Sequence, residues 1–376
     1  MTDKSQSLRL GVVRDYRAEN WPSMDLCAEG LLAHFPAEIE AVELAPAFRR
    51  YLGRWQRSSR LAFNADRFWN RYVVLPRWVR RLSCQVDAVH IVDHSYAHLV
   101  HAVPAGRAGV YCHDIDIFRG LLPPQGETPP PRRPLLSRLG RWILAGLQRA
   151  ALVFTNSHQT AGELLAHGWV PADRLRVVPL GVAPEYMEIH PEDTSLPPYG
   201  DQPYILHVGS TIARKRIDVL LEVLAQLRQW RPDLHLVQVG GEWTSAQREQ
   251  LRRLRLEEAV RQVRGLSRRE LAALYRRAAL LLFPSAAEGF GLPVLEALAC
   301  GTAVVASDLP ALREVGGAAA RYCPVGDVNV FVTTTCQILA EPVTPAQQEE
   351  RRQQARRFTW QAHARQIAEA YQQLLR

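Results

Sequence analysis

Residues 281–306, LLFPSAAEGFGLPVLEALACGTAVVA, constrain the fold more than any other stretch of the chain. Residues 280–283 are a short apolar run ended by Pro284 and Ser285, which predicts a buried strand running into a loop. Glu288-Gly289-Phe290-Gly291 predicts a loop whose two glycines allow positive φ or close approach to a ligand. Pro293 suits the first residue of a helix. Residues 294–300 continue that helix, Gly301 ends it, and residues 302–306 form the next buried strand. Strand, glycine loop, helix and strand in that order make the shape in which a helix N-terminus and loose N–H groups hold an anion. Glu288 and Glu296 bracket the unit. Eight residues apart, they do not share a helical face. Carboxylates are acceptor-only, so a pair near a helix N-terminus suits ligand hydroxyls. The alternative is that Glu296 complements the helix dipole while Glu288 is solvated.

The same alternation of strand and helix runs through the chain and predicts parallel sheets, whose ligands bind at the carboxyl ends of the strands. Residues 8–13 are the first strand. The loop at 14–23 follows it, and Ser23 is placed to cap a helix running through Leu32. Residues 88–92 lead into Asp93-His94-Ser95-Tyr96-Ala97-His98, and residues 109–112 into His113-Asp114-Ile115-Asp116. Both polar clusters belong at a sheet edge. Residues 120–134 are a proline-rich loop. A helix at 135–150, a strand at 151–157, a short helix at 160–167 and a closing strand at 174–182 complete the first half. Residues 183–203 carry five prolines and no periodicity, and read as an interdomain connection. A second sheet begins at 204–208. The loop Gly209-Ser210-Thr211-Ile212-Ala213-Arg214-Lys215-Arg216 follows, then a helix at 217–230. A glycine turn with clustered cations at a helix N-terminus is a phosphate site by construction. Further strands end at Gly240 and at Gly265-Leu266. A terminal helix from Trp360 keeps Ala364, Ile367, Tyr371 and Leu374 on one face.

Composition places the chain among globular proteins of two ordinary domains, with 376 residues, 47% hydrophobic and 22% charged. No apolar run approaches the roughly 20 residues that span a bilayer, and the N-terminus lacks a signal peptide's apolar core. Six cysteines without a Cys-x-x-Cys pair suggest scattered reduced thiols and a cytoplasmic protein. The net charge of +8 points to an anionic partner. Much of it lies in residues 48–81, where ten arginines face one acid, Asp66, with eight aromatics interleaved. Phe48, Tyr51, Leu52 and Trp55 fall at helical spacing. Three readings fit: a packed helix with solvated arginines, an interfacial surface for anionic lipid or a lipid-diphosphate acceptor, and nucleic-acid binding. No nucleic-acid module accompanies the stretch, so no nucleic-acid partner is expected.

Glu288 and Glu296 around Gly289, Phe290, Gly291, Leu292 and Pro293 resemble the donor-binding motif of the retaining, family 4 type glycosyltransferases of GT-B fold. The loop at 209–216 is similar to that family's diphosphate loop, although Ser210 stands where relatives often carry arginine. His113-Asp114 resembles the His-Asp pair of its N-terminal domain. The resemblance implies two Rossmann-like domains with parallel sheets facing across a cleft. The acceptor-side domain would span 1–182, the linker 183–203, the nucleotide-sugar domain 204–357, and a crossover helix 358–376. It implies that Glu288 and His113 place the donor sugar and that Glu296 binds the ribose. Gly209, Ser210, Arg214, Lys215, Gly265, Leu266 and the 289–292 backbone would line the donor. Ser23, Asp93, Tyr96 and Asp114 would lie on the acceptor side. Asp114 and Asp116 also spell a metal-binding Asp-x-Asp, but the resemblance is to a metal-independent fold, so neither a metal nor another cofactor is expected.

The implied reaction moves a sugar from a nucleoside diphosphate sugar to an acceptor hydroxyl, in polysaccharide, lipopolysaccharide or glycolipid assembly. The acceptor would be a glycan or lipid-linked, and the protein cytoplasmic, peripheral at the inner face of the membrane. Two other readings stay open: a GT-B nucleotide-sugar epimerase, and a catalytically silent, basic membrane- or RNA-binding protein.

Overall fold

Short apolar strands joined by helices must pair in parallel, because each helix carries the chain back between them. The computed structural model describes residues 7–19, 21–44, 46–53, 59–122, 134–188 and 202–376, and has this form. It divides into two compact units, residues 1–181 with 360–376, and residues 182–359.

In the first unit, β1 (Leu8–Val13), β2 (Ile39–Glu43), β3 (Ala88–Ile91), β4 (Ala108–Cys112), β5 (Leu152–Thr155) and β6 (Leu175–Val177) form one sheet in the order β2-β1-β3-β4-β5-β6. Every pairing is parallel. Helices α1 (Pro22–His34), α2 (Arg60–Trp69), α3 (Leu75–Leu82), α4 (Pro134–Arg149) and α5 (His158–Ala166) connect the strands. The core gathers Val89, Ile91, Val110, Val153, Phe118 and Leu147.

In the second unit, β7 (Tyr204–Gly209), β8 (His235–Gly240), β9 (Val260–Val263), β10 (Leu280–Phe283), β11 (Val304–Ser307) and β12 (Arg321–Cys323) follow the order β12-β11-β10-β7-β8-β9, again all parallel. Its helices are α6 (Pro184–Met187), α7 (Ile217–Trp230), α8 (Ser245–Arg253), α9 (Arg268–Arg277), α10 (Leu292–Ala299), α11 (Pro310–Gly316), α12 (Val328–Ala340) and α13 (Pro345–Ala355). Strand order reverses between β1 and β3 in the first sheet and between β7 and β10 in the second. Loops leaving these strand ends diverge and open a crevice, the place where open parallel sheets bind ligands.

The last helix, α14 (Trp360–Leu374), counts with the first unit. It buries Trp360, Ala364, Ile367 and Tyr371. The Tyr371 hydroxyl donates to the Val89 carbonyl at 3.2 Å, and His363 Nδ1 lies 2.9 Å from the Pro179 carbonyl. The Trp360 ring occupies the space a side chain on Gly30 would need. Among the described residues no helix is long and apolar enough to cross a membrane.

Several local expectations change. Ser23 does not cap α1: the cap position is Trp21, without a side-chain bond, and the helix runs to His34. Residues 46–53 are not helical, because Asp66 of α2 accepts the backbone N–H groups of Tyr51, Leu52 and Gly53 at 3.0, 2.8 and 2.8 Å. The helical part of the arginine-rich stretch begins at Arg60, and Trp55 lies outside the described residues. Pro76 has no N–H for the Tyr72 carbonyl, and residues Asn70–Val74 form a widened π turn there, with Leu75 N–H bonding to Asn70. His94–Ala102, the polar cluster expected at the sheet edge, is a 3₁₀ helix capped by Asp93. The 292–299 helix starts at Leu292, with Pro293 second. Residues 189–201 of the expected linker and 123–133 of the proline-rich loop lie outside the described residues.

A Cβ on Gly30 would sit 2.3 Å from Trp360 Cδ2. Gly30→Ala is therefore expected to cost about 1–3 kcal/mol through forced repacking of α1 against α14, read as a lower midpoint in denaturant unfolding. An unchanged midpoint would show that the ring moves aside freely.

Candidate active site

In the second unit the two loops that flank the β7/β10 crevice meet. Gly209 ends β7, and a 3₁₀ turn at Ala213–Lys215 leads through Arg216, held at φ 48°, into α7. From the other side, residues 284–291 leave β10 and enter α10 through Gly291. Gly291 has φ 102°, and a Cβ there would meet Leu312 Cδ2 at 2.4 Å. That position requires glycine on both counts. Ala286 N–H donates to the Arg214 carbonyl at 2.7 Å, and Arg214 donates to the Ala287 carbonyl at 2.9 Å. The loops are thus fastened by one main-chain bond and one from the Arg214 side chain.

On this frame Glu288 accepts from Lys215 Nζ at 2.6 Å and from Arg214 at 3.0 Å. The Glu288 and Lys215 side chains are 7% and 9% exposed. Lys215 also lies 4.7 Å above the centre of the Phe283 ring. Beneath it, His207 is fully buried with neither ring nitrogen hydrogen-bonded. Burial, with Lys215 adding, holds His207 down to about 3, so it is neutral and adds no charge. Gly209 and Ser210 line the start of the loop, with Ser210 exposed. Gly265, at φ 72°, and Leu266 lead into α9. Phe290 is buried against Phe358, ring centres 5.9 Å apart, so its side chain packs inward. Gly289 and Leu292 are half-buried.

Glu296 sits apart from that ion pair. It is buried on α10, and Tyr275 donates to its carboxylate at 2.8 Å. A second bond comes from the Tyr186 hydroxyl. Burial pushes its carboxyl up to about 7, against the two tyrosine bonds. Neither tyrosine was signalled by spacing, since Tyr186 belongs to the expected linker.

The first unit builds a different site at its β1/β3 crevice. Asp15 follows β1, Asp93 follows β3, and both are buried. Burial and the neighbouring Asp93 charge raise Asp15 well above the usual carboxylate range. Burial also works against ionised Asp93, but His94, His113, Arg71 and the Ser95 hydroxyl outweigh it and hold it low. Burial and charge thus push the two carboxyls apart, Asp15 up and Asp93 down. His113, at the end of β4, is buried and held neutral by burial. Its Nε2 lies 2.8 Å from the Val92 carbonyl, which makes Nε2 the protonated nitrogen. Its own carbonyl accepts from Asn156 at 3.0 Å. Asp114 Oδ1 accepts from the Asp116 N–H at 2.9 Å and lies 3.7 Å from His94 Nε2. The Tyr96 hydroxyl is committed to Glu19 at 2.6 Å. Arg71 lies 3.9 Å over the Tyr96 ring and donates to the Ser95 carbonyl. Ser23 is exposed on the first turn of α1. Sequence reasoning missed Asp15 and Arg71. The strand-end position of Asp15 was available as a signal; the inward turn of Arg71 was not.

The family Glycosyl transferases group 1 matches residues 189–358, and Glycosyltransferase Family 4 matches residues 33–186. A D-inositol 3-phosphate glycosyltransferase of Pseudarthrobacter chlorophenolicus is 33% identical over 205 residues, 52% of this chain and 47% of that protein. The O-antigen chain mannosyltransferase B of Escherichia coli is 29% identical over 293 residues, 71% of each. The chain spans about half the length of the first curated relatives it matches. The solved structure of Anabaena HepE in complex with UDP and glucose superposes with a TM-score of 0.71, covering 96% of this chain and 98% of that one at 17% identity. That likeness shows the fold, the pair of Rossmann-like units of the GT-B type. The chain belongs to the glycosyltransferases, a Glycosyltransferase Family 4 first half joined to a Glycosyl transferases group 1 second half.

Proposed function

We propose that this protein is a retaining glycosyltransferase that moves a sugar from a nucleoside diphosphate sugar to an acceptor hydroxyl. The observation that carries the reading is the Lys215–Glu288–Arg214 cluster at the β7/β10 crevice. In the reaction the anomeric C–O bond breaks and charge builds on the departing diphosphate. The acceptor oxygen bonds to the same anomeric carbon, and its proton passes to the diphosphate. Arg214, Lys215 and the 289–292 backbone N–H groups supply fixed positive charge where the diphosphate charge develops, without a metal in this reading. Glu288, with an oxygen bonded to each cation, is placed for sugar hydroxyls and is a poor nucleophile. Glu296 takes the ribose. In the first unit, His113 is read as placing the donor sugar, with Asp93 and Asp114 on the acceptor side and Asp15 hydrogen-bonded to Asp93.

The relatives named above act on inositol phosphate and O-antigen chains by their names, which supports a glycan or lipid-linked acceptor. The surface of α2, the π turn and α3 supports a membrane partner. Leu61, Phe68, Trp69 and Trp78 are 82%, 50%, 49% and 41% exposed, beside exposed Arg60, Arg77, Arg80 and Arg81. Aromatic and aliphatic groups rimmed by arginine suit an anionic bilayer, each cation contributing ~1 kcal/mol near such a surface. We place the protein at the inner face of the cytoplasmic membrane on this ground.

Calorimetric titration with a panel of nucleotide sugars is expected to find one donor that binds. Lys215→Ala should weaken it by about 1.5–3 kcal/mol, roughly ten- to hundredfold, the worth of a charge-assisted hydrogen bond. Glu288→Ala should chiefly lower turnover. Equal donor affinity and full activity in both variants would remove the site. Sedimentation with vesicles is expected to show binding to anionic phospholipid that weakens with salt and in Trp69→Ser. Equal binding to neutral and anionic vesicles, or none, would remove the membrane partner.

A further inference from the structure

The buried carboxyl of Glu296 raises a physical difficulty. A ribose diol offers two hydroxyl hydrogens, and an ionised carboxylate accepts both, whereas a neutral carboxyl has one good acceptor oxygen and competes as a donor. Burial favours the neutral form. Two hydroxyls oppose this from opposite parts of the sequence. Tyr275 on α9 donates at 2.8 Å, and Tyr186 on α6 makes the second bond. Both rings are buried, 5.9 Å apart and edge to face.

The short α6 segment is not free to move away from α10. Arg276 of α9 donates to the Glu185 carbonyl at 2.7 Å and also to the Glu188 carbonyl. Arg268 lies 3.8 Å from the Glu185 carboxylate, and Cys300 Sγ lies 3.5 Å from the Tyr186 carbonyl. The groups facing Glu296 are then Tyr186 from α6 and Tyr275 and Arg268 from α9, while Cys300, just past α10, faces the two tyrosines. The arginines of α13 turn to Gly301 instead, Arg351 donating to its carbonyl at 3.0 Å. Arg313 of α11 pairs with Asp308.

We propose that Tyr186 and Tyr275 are positioning residues for nucleotide recognition: their hydroxyls hold Glu296 as a fixed, charged acceptor for the ribose diol of a nucleoside diphosphate. The proposal rests on the nucleotide-sugar reading above. It makes the start of the expected interdomain connection a support of the donor site, with Tyr186 acting through Glu296.

The test is calorimetric titration from pH 5.5 to 9.5 of the wild type, Tyr186→Phe, Tyr275→Phe and Glu296→Gln. The probe is whichever of UDP, GDP and ADP binds the wild type most tightly. The nucleotide's own protonation is common to all four proteins, so differences between them report the enzyme. Glu296, raised to about 7, gives a wild-type affinity that climbs through that pH and then levels. Each phenylalanine keeps the ring packing and removes one bond to the charged form. Its midpoint should rise by about one pH unit, with affinity about threefold weaker at pH 7.5 and restored by pH 9.5. Glu296→Gln should be weaker at every pH without this midpoint. A loss in the phenylalanine variants that is equal at every pH, or no loss at all, overturns the proposal while leaving nucleotide binding intact. Failure of all three nucleotides to bind the wild type overturns the nucleotide-sugar reading and this proposal with it.

Discussion

The bond between Lys215 and Glu288 is what the second unit is arranged to make. A lysine this deeply buried must have its charge met. Phe283 beneath it offers only a ring face, and His207 is neutral. The carboxylate therefore has to come from the loop beyond β10, which fixes how far that loop reaches. Its path back into α10 then needs the left-handed turn at Gly291, the main-chain bond from Ala286 to Arg214 and the bond from the Arg214 guanidinium to the Ala287 carbonyl. The consequence for chemistry is preorganisation. Both cations are aimed before a diphosphate arrives, and little of the electrostatic gain is spent on turning them. Their partner is the same carboxylate read as the sugar contact, so in the proposed reaction phosphate and sugar recognition would be coupled through one residue.

The first unit uses the same topological position for other chemistry. Its crevice collects Asp15, Asp93, His94 and His113, with Arg71 behind them. No net positive field faces a phosphate there. Two carboxyls are pushed apart in acidity, and a neutral imidazole is pinned to a main-chain carbonyl. Strand order alone thus puts both candidate sites where neighbouring connections run to opposite sides of their sheets, and the residue types decide that one suits anions and the other hydroxyls.

Much of this was legible in the sequence. The strand, glycine loop and helix at 280–299, the cations after β7 and the polar clusters after β3 and β4 are short-range patterns, and short-range patterns survive folding. What spacing could not reveal was pairing across the chain. Glu288 and Glu296 look alike as a bracketing pair, yet one is bound to two cations and the other to two tyrosines. Ser23 reads as a cap by residue type, but Trp21 holds that position and Pro22 opens the helix. Phe48, Tyr51 and Leu52 have helical spacing, but the three N–H groups taken by Asp66 hold residues 51–53 in a turn instead.

The arginine-rich stretch shows why a charge count cannot name a partner. Its one acid, Asp66, accepts the main-chain N–H groups of Tyr51, Leu52 and Gly53, with the Arg50 charge also favouring its ionised form. Of the arginines, Arg71 is directed inward beside the π turn, onto Tyr96 and within 3.5 Å of Glu19. Arg67 reaches the same Glu19 at 2.9 Å. These two are structural, and they serve the strand-end cluster rather than a surface. Arg60, Arg77, Arg80 and Arg81 face outward beside Leu61, Phe68, Trp69 and Trp78. Under the proposed membrane reading that outer set faces the anionic surface, and its apolar groups set among cations suit a bilayer better than a polyanion in water. A polyanion would answer to the charge but gain nothing from the exposed Leu61.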